Sequence, residues 1–359
     1  MSHDRANPRR IKIHGAGSIG NHLAHAARSL GWGVAVCDVD PAALERMRNE
    51  LYPGRYGRWD DQIELYGSAD APRGGFDVIH IGTPPESHVP LALEALEEAP
   101  GAILIEKPLS PPAMEGVDEL VRRAEGQKAL VFVGYDHVVG RGVEKVAGLV
   151  QSAAIGKIQA IDVEFREHWS GILKAHPWLS GPADSYLGST ARGGGASGEH
   201  SHALNLWQYF AHVTDAGDIT EVSARMSWLR DGGLNCDRLC LVTLETQRGI
   251  LGRVAQDVIT QPPRKNATLY GTEGTLSWKA GPGPNLDTVI LSRSGSEDET
   301  FTIEKSRPDD FIRELRHIEA RLVRPQEAVK SPLWFLRGVE TMRVLAAALD
   351  DDSRRRQLR

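Results

Sequence analysis

Lys107 stands between Glu106 and Pro108, directly after the apolar run Ala102-Ile103-Leu104-Ile105. Such a run ending in a charged pair has the form of a buried parallel strand leaving its sheet, and open α/β sheets bind ligands in the crevice beyond their carboxyl ends. An ammonium there can hydrogen-bond a hydroxyl or relay its proton. Far upstream, Ile11-Lys12-Ile13-His14 runs straight into Gly15-Ala16-Gly17-Ser18-Ile19-Gly20. That is a G-x-G-x-x-G turn following a strand and opening a helix, the arrangement that receives a pyrophosphate.

These residues need a scaffold. From Arg10 to Tyr135, strand-length apolar runs at 10–14, 33–37, 62–66, 77–82, 102–106 and 129–134 alternate with helix-period segments at 18–30, 41–51, 85–99 and 112–126. Alternation of this kind predicts a doubly wound parallel sheet, a Rossmann domain over residues 1–134. Beyond Tyr135 the pattern changes to long alternating strands at 157–168, 219–230, 237–247 and 249–259, with shorter ones at 266–271, 274–279, 287–293 and 298–304. Short turns such as Gln247-Arg248-Gly249 predict a large, mainly antiparallel sheet in a second α+β domain over 135–359. Helices are expected at 141–152, 198–212, 308–323 and 333–350, the last positioned to return to the first domain.

Within the fingerprint, Gly15 permits the tight turn, Gly17 lets the backbone approach a pyrophosphate and Gly20 lets helix and strand pack closely. Ser18 and Ile19 sit at the helix start. Val34-Ala35-Val36-Cys37 then ends in Asp38, eighteen residues after Gly20, where an acid would accept hydrogen bonds from the adenosine ribose. The same carboxylate would repel a 2'-phosphate, and no arginine follows it before Arg46, so NAD is expected rather than NADP. Gly82-Thr83-Pro84-Pro85-Glu86-Ser87-His88 ends the fourth strand. Thr83 and Pro84 would line the cofactor, although Thr83 serves equally well as a helix cap; His88 reads first as structural and second as part of that lining.

Composition narrows the remaining classes. The 359 residues are 41% hydrophobic and 25% charged with a formal net charge of -6, ordinary for a globular protein and without the basic footprint of a nucleic-acid binder. No apolar stretch approaches membrane-spanning length, and the polar segment Met1–Arg10 does not read as a secretory signal. The three cysteines, Cys37, Cys236 and Cys240, are too few for a disulfide framework and fit a reducing cytoplasm.

Taken together, Gly15 to Gly20, Thr83 to His88, Glu106 to Pro108, Gly134-Tyr135, Gly193-Gly194-Gly195 with the His202 helix, and the helix Gly338 to Leu349 resemble the glucose-fructose oxidoreductase and inositol dehydrogenase family, usually called Gfo/Idh/MocA. The resemblance implies hydride transfer between a nicotinamide and a carbinol of a sugar or cyclitol. It also implies an open sheet that often forms the interface of a homodimer or homotetramer. In the family the lysine of the Glu-Lys-Pro tripeptide, here Lys107, positions the hydroxyl, flanked by Glu106 at the cofactor; the histidine after the glycine run, here His202, is acid or base. The family's aspartate four residues before that histidine is Gly198 here, and the nearest acid is Glu199. Glu199 and His202, three apart on one expected helix, would share a face, so the glutamate is expected to orient the imidazole or contact substrate. Asn205 stands where the family often has aspartate.

The long loop from Trp169 to Gly195 and the residue before it carry His168, Trp169, His176, Trp178, Tyr186 and Arg192, groups suited to a sugar ring and its hydroxyls. His168 and Arg192 are the expected contacts there, with Tyr135, Asp136 and Asn205; Trp178 and Tyr186 read equally well as packing. Glu199, His200 and His202 also have zinc-ligand chemistry, but neighbours on a helix point about 100° apart, so one turn cannot aim all three at one ion and no metal is expected. Two other readings stay open: an NAD-binding regulator without turnover, and a redox-neutral NAD-dependent elimination.

Overall fold

The computed structural model describes residues 8–281 and 286–357, so residues 1–7 of the polar segment read above as no leader lie outside it. In chain order the first elements are β1 (Arg10–His14), α1 (Ser18–Ser29), β2 (Gly33–Asp38), α2 (Pro41–Arg46), α3 (Tyr52–Tyr56), β3 (Ile63–Gly67) and β4 (Val78–Ile81). Next come α4 (His88–Glu97), β5 (Ala102–Ile105), α5 (Val117–Glu125), β6 (Leu130–Val133), α6 (Arg141–Gln151) and β7 (Ile158–Arg166). The segment after β7 holds α7 (Trp169–Lys174), α8 (Gly195–Glu199) and α9 (Ser201–Val213). Seven strands follow: β8 (Ile219–Leu229), β9 (Cys236–Thr246), β10 (Leu251–Asp257), β11 (Arg264–Gly271), β12 (Gly274–Ala280), β13 (Leu286–Arg293) and β14 (Glu299–Glu304). α10 (Asp309–Val323) and α11 (Phe335–Gln357) close the described chain.

Two compact units result, and neither is contiguous in sequence. One comprises the chain up to Glu106, Gly116–Gly134 and Pro308–Trp334; the other comprises Lys107–Glu115, Tyr135–Arg307 and the chain from Phe335 onward. The segment that rejoins the first unit therefore carries α10, whereas α11 belongs to the second.

In the first unit six parallel strands take the order β3-β2-β1-β4-β5-β6, which reverses direction of growth between β1 and β4. Strands covered on both faces are largely apolar, and Val78–Ile81 and Ala102–Ile105 are buried at every position, the one polar side chain, His80, being paired with Glu106. The register sets His14 beside Ile81 and Ile81 beside Ile105. Gly15, Gly82 and Glu106 consequently leave the sheet side by side at its carboxyl edge. Ladder bonds continue one step further, with Gly82 N–H donating to the His14 carbonyl (2.8 Å) and Glu106 N–H to that of Ile81 (2.9 Å).

The second unit is an eight-stranded sheet in the order β14-β13-β12-β11-β7-β10-β9-β8. Every neighbouring pair is antiparallel except β7 with β10, because the chain leaves β7 for α7 to α9 and returns through β8 and β9. α9 packs on β7: Trp207, fully buried, donates from Nε1 to the Ile161 carbonyl at 2.8 Å. A Cβ at Gly252 would lie 2.0 Å from that same carbonyl, so β10 needs glycine there. The other face is solvated, with Leu241, Leu251 and Tyr270 exposed. No helix among the described residues is long and apolar enough to cross a membrane.

β8 is an edge strand, and its unpaired N–H groups would otherwise be open. α11 closes them: Asp351 accepts from Ala224 N–H (2.8 Å), while Asp352 accepts from Met226 N–H (2.9 Å) and Trp228 Nε1 (3.1 Å). Asp352 is 3% exposed, so its loss strands buried donors. Asp352→Ala is expected to lower unfolding free energy by about 1–3 kcal/mol, read from the urea midpoint; an unchanged midpoint would show that α11 holds β8 by packing alone.

Candidate active site

In the first unit the glycine turn has a separate reason for each glycine. Gly15 lies at φ +104°, and a Cβ there would come within 2.6 Å of the Gly82 carbonyl; at Gly20 it would strike the Gly15 carbonyl at 1.9 Å. Around Gly17 there is nothing within 4 Å. The protein itself does not require glycine there, whereas an approaching ligand would. Gly17 caps α1 without a side-chain hydrogen bond, so no side chain caps the first-turn N–H groups of Ser18 and Ile19. Arg55, which the sequence reading missed, donates to the Ser18 carbonyl (2.9 Å), to Ser18 Oγ (3.0 Å) and to Asn21 Oδ1 (3.2 Å). No motif advertises it; α3 brings it back to the start of α1.

Asp38 Oδ2 accepts from Ala16 N–H at 2.8 Å and Oδ1 from Asp40 N–H at 2.9 Å. The carboxylate thus spans the glycine turn, and each oxygen keeps a further lone pair for a ligand hydroxyl. Thr83 does not cap the helix: its Oγ1 accepts from Ser87 Oγ (2.7 Å), and neither Pro84 nor Ser87 carries a side-chain cap bond. His88 is buried and its ring Nε2 bonds the Thr83 carbonyl (2.7 Å), shaping the Thr83-Pro84 turn from behind as a structural histidine does. Glu106 is buried against His80 (Oε1 to Nε2, 3.3 Å), and a Cβ on Gly134 would lie 2.9 Å from the same Oε1, which explains the glycine after β6.

In the second unit Lys107 Nζ donates to the Glu199 carbonyl (3.0 Å) and to its Oε2 (3.3 Å). Burial alone would push the Glu199 carboxyl up, but the Lys107 ammonium, with His200 and His176, holds it below its ordinary range. The expected single helix over 198–212 is two helices, α8 and α9, broken at His200 (φ -98°, ψ 23°). This overturns the expectation that Glu199 and His202 share a face, because the break sends the glutamate to the lysine. Gln256 Nε2 fastens the break by donating to the His200 carbonyl (2.7 Å) and the Ser197 carbonyl (3.2 Å).

The absence of an aspartate at position 198 has a steric cause: a Cβ there would sit 2.1 Å from the Gly193 carbonyl. The loop is drawn in so tightly by Asp237, a buried carboxylate that accepts from Thr190 Oγ1 (2.7 Å), Ser197 N–H (2.8 Å) and Ser197 Oγ (2.9 Å). Gly195, at φ +73°, lies so close that a Cβ would meet Asp237 Oδ1 at 2.3 Å.

His202 is enclosed by rings: Tyr135 edge-on at 5.6 Å, His137 edge-on at 4.7 Å and Phe165 stacked at 6.3 Å. Its Nδ1 is buried without a hydrogen-bond partner and faces Asp136 Oδ1 at 3.8 Å. Burial first, then the charges of His137, Lys107, Lys265 and His200, hold its pKa well below the ordinary histidine value, so the imidazole is neutral at neutral pH. His200 is likewise lowered, to about 4, chiefly by burial.

The other expected contacts are distributed unevenly. Tyr135 is 1% exposed and packs its ring on His202. Asn205 is also buried and donates to Thr341 Oγ1 (3.1 Å), which ties α9 to α11. His168 caps α7, its Nδ1 accepting from Ser170 N–H at 3.0 Å. Arg192 is exposed at the end of a short turn before Gly193. His137 was overlooked although it directly follows Asp136. Among the described residues it joins Asp136 and His202 in a group whose ligand atoms lie within 4.8 Å of one another. The lysine charges acting on His202 oppose a dication in that group.

Comparison with known proteins agrees with this layout. Residues 9–135 match the oxidoreductase family with the NAD-binding Rossmann fold, and residues 143–277 match the GFO/IDH/MocA C-terminal domain. Solved structures of the same fold include an inositol dehydrogenase homolog from Azotobacter vinelandii complexed with NAD+ (TM-score 0.76, 16% identity, 98% of this chain and 97% of that one). A levoglucosan dehydrogenase in complex with NADH and levoglucosan (0.75, 16%, 97% and 98%) is similar to the same extent. So is a 3-ketoreductase from Actinomadura kijaniata with NADP and TDP-benzene (0.74, 17%, 96% and 98%). No curated protein matches the chain.

Gly198→Ala tests whether the close approach is real. The added methyl must displace the Gly193 carbonyl, and the expected loss of stability is about 1–3 kcal/mol by chemical denaturation. A variant as stable as the parent would mean that the loop has room at 198.

Proposed function

Because the chain belongs to the Gfo/Idh/MocA oxidoreductase family, we propose that it transfers hydride between a nicotinamide and a carbinol or ketone carbon of a sugar, cyclitol or related polyhydroxylated compound. The observation that carries the proposal is the pairing of Lys107 with Glu199 in electrostatic reach of a buried, neutral imidazole at His202. The substrate class draws support from neighbours of the same fold that bind levoglucosan or are named for inositol.

Removing a hydride from a carbinol requires that the hydroxyl proton leave as well. Lys107 would donate a hydrogen bond to the substrate oxygen and stabilise the charge that develops there. His202 would accept the proton, leaving a carbonyl product; in reverse it would return that proton to the reduced carbon's oxygen. When bound, the nicotinamide takes up the hydride or gives it back. Gly15, Gly17, Gly20 and the start of α1 would hold the pyrophosphate of such a cofactor, Thr83 and Pro84 would line it, and Asp38 would accept from its ribose hydroxyls. A carboxylate at 38 favours NAD over NADP, since a 2'-phosphate would meet like charge.

The test is a screen of polyols, sugars and cyclitols for absorbance of the reduced nicotinamide, run with NAD and with NADP. Turnover with NAD and weaker turnover with NADP is expected; silence across a broad panel with both would leave a cofactor-binding protein without this activity. On the substrate found, Lys107→Ala should lower kcat/KM by about 10²–10³-fold, the scale for removing one donor to a developing oxyanion. NAD affinity should stay within a few-fold, and unchanged turnover would remove Lys107 from the reaction.

A further inference from the structure

We propose that Asp136 is the positioning carboxylate of His202, holding the proton on Nδ1 so that Nε2 is the nitrogen presented to the substrate hydroxyl. This rests on the acid–base role given to His202 above and adds what sets its tautomer.

Three observations converge on it. The side chain that adjacency in sequence would nominate, Glu199, is committed elsewhere, to Lys107. The helix position one turn before His202 is closed to any side chain, since a Cβ at 198 would lie 2.1 Å from a backbone oxygen. Meanwhile Asp136, in the short turn Asp136–Val139 after β6, directs Oδ1 at His202 Nδ1, an atom buried with no hydrogen-bond partner.

The 3.8 Å separation is too long for a hydrogen bond, and a closure of about 1 Å would make one. Rotation of the imidazole is already restricted by the rings of Tyr135, His137 and Phe165. Rings fix the plane but not which nitrogen holds the proton; an ionised carboxylate only accepts, so it selects Nδ1–H. The lone pair is then on Nε2, where a base needs it. A carboxylate facing the ring also stabilises the imidazolium formed when the hydroxyl proton arrives, against burial and the groups that disfavour it: the ammonium groups of Lys107 beyond β5 and Lys265 on β11, with the imidazoles of His200 at the α8–α9 break and His137 on the same turn as Asp136.

The first measurement needs no substrate. The imidazole nitrogen shifts of His202 are read in histidine-labelled protein with NAD added, the signals being assigned by their loss in His202→Gln. The expected result is the Nδ1–H form in the wild type and a shift toward Nε2–H in Asp136→Asn. A wild type already in the Nε2–H form, or one whose tautomer is indifferent to Asp136→Asn, overturns the proposal even if the enzyme turns over. The second measurement uses the substrate found by the screen. Asp136→Asn should lower kcat by about 100-fold, less than the roughly 10⁴-fold seen where such a carboxylate is fully engaged. KM should change by less than threefold, the acid limb of the pH–rate profile should move, and Asp136→Glu should recover part of the rate. A rise in KM with kcat preserved would make Asp136 a substrate contact instead. Retention of one equivalent of Zn²⁺ by wild type and its loss in Asp136→Asn would make the cluster a metal site, and would equally overturn the assignment. Absence of turnover in every screen, with the tautomer shift intact, would count against the reaction and not against the pairing.

Discussion

The buried carboxylate of Asp237 is the interaction on which the glycine loop and helix start of the second unit depend. It sits at the start of β9, fully enclosed, and gathers the Thr190 hydroxyl together with the N–H and hydroxyl of Ser197. Burial raises its pKa above the ordinary carboxylate range and those hydrogen bonds oppose the rise, so losing the donors would favour the protonated form. One carboxylate thereby fastens the glycine loop and the beginning of α8 to the sheet. The glycines are the other side of this constraint: backbone drawn in so far leaves no volume for a Cβ at 194, 195 or 198.

From that anchoring the rest of the site follows geometrically. α8 is only five residues long, and the chain breaks at His200, where Gln256 Nε2 donates to the Ser197 carbonyl and joins Ala203 N–H on the His200 carbonyl. The break rotates Glu199 away from His202 and toward Lys107, which arrives from the end of β5. A helix continuing through residue 200 would have placed glutamate and histidine on one face, and the lysine would have lost both its carbonyl and its carboxylate acceptor. Loop anchoring and ion pairing are thus one piece of structure.

Much of this was legible in the sequence because parallel strands and glycine turns impose strict local patterns. The run Ala102–Ile105 is apolar at every position, and Gly15 and Gly20 are forced by backbone contacts, Gly20 within its own strand–turn–helix unit. The strands of the second sheet were visible through alternation, down to the short turn at Gln247-Arg248-Gly249. What could not be read were the decisions made by contacts distant in sequence. The break at His200 is set by Gln256, the glycine at 198 by a loop that Asp237 pulls inward, and the burial of Asn205 by Thr341. Each partner lies tens of residues away and belongs to no motif. Likewise, nothing in the fingerprint region points to Arg55, which reaches the start of α1 only because α3 folds back beside it.

The charges of the site then balance in pairs. A nearly buried ammonium is tolerable only with compensation close at hand, and Glu199 supplies a carboxylate as well as a carbonyl to Lys107. An imidazole among positive groups resists protonation, and a carboxylate facing it is what would make the protonated state accessible during turnover. If one acid served both groups, gaining a proton on the histidine would weaken the hold on the lysine in the same step. Two carboxylates, Glu199 from α8 and Asp136 from the turn after β6, separate those demands. On the proposed mechanism the lysine would keep its charge and position while the histidine changes state, two groups set by separate environments.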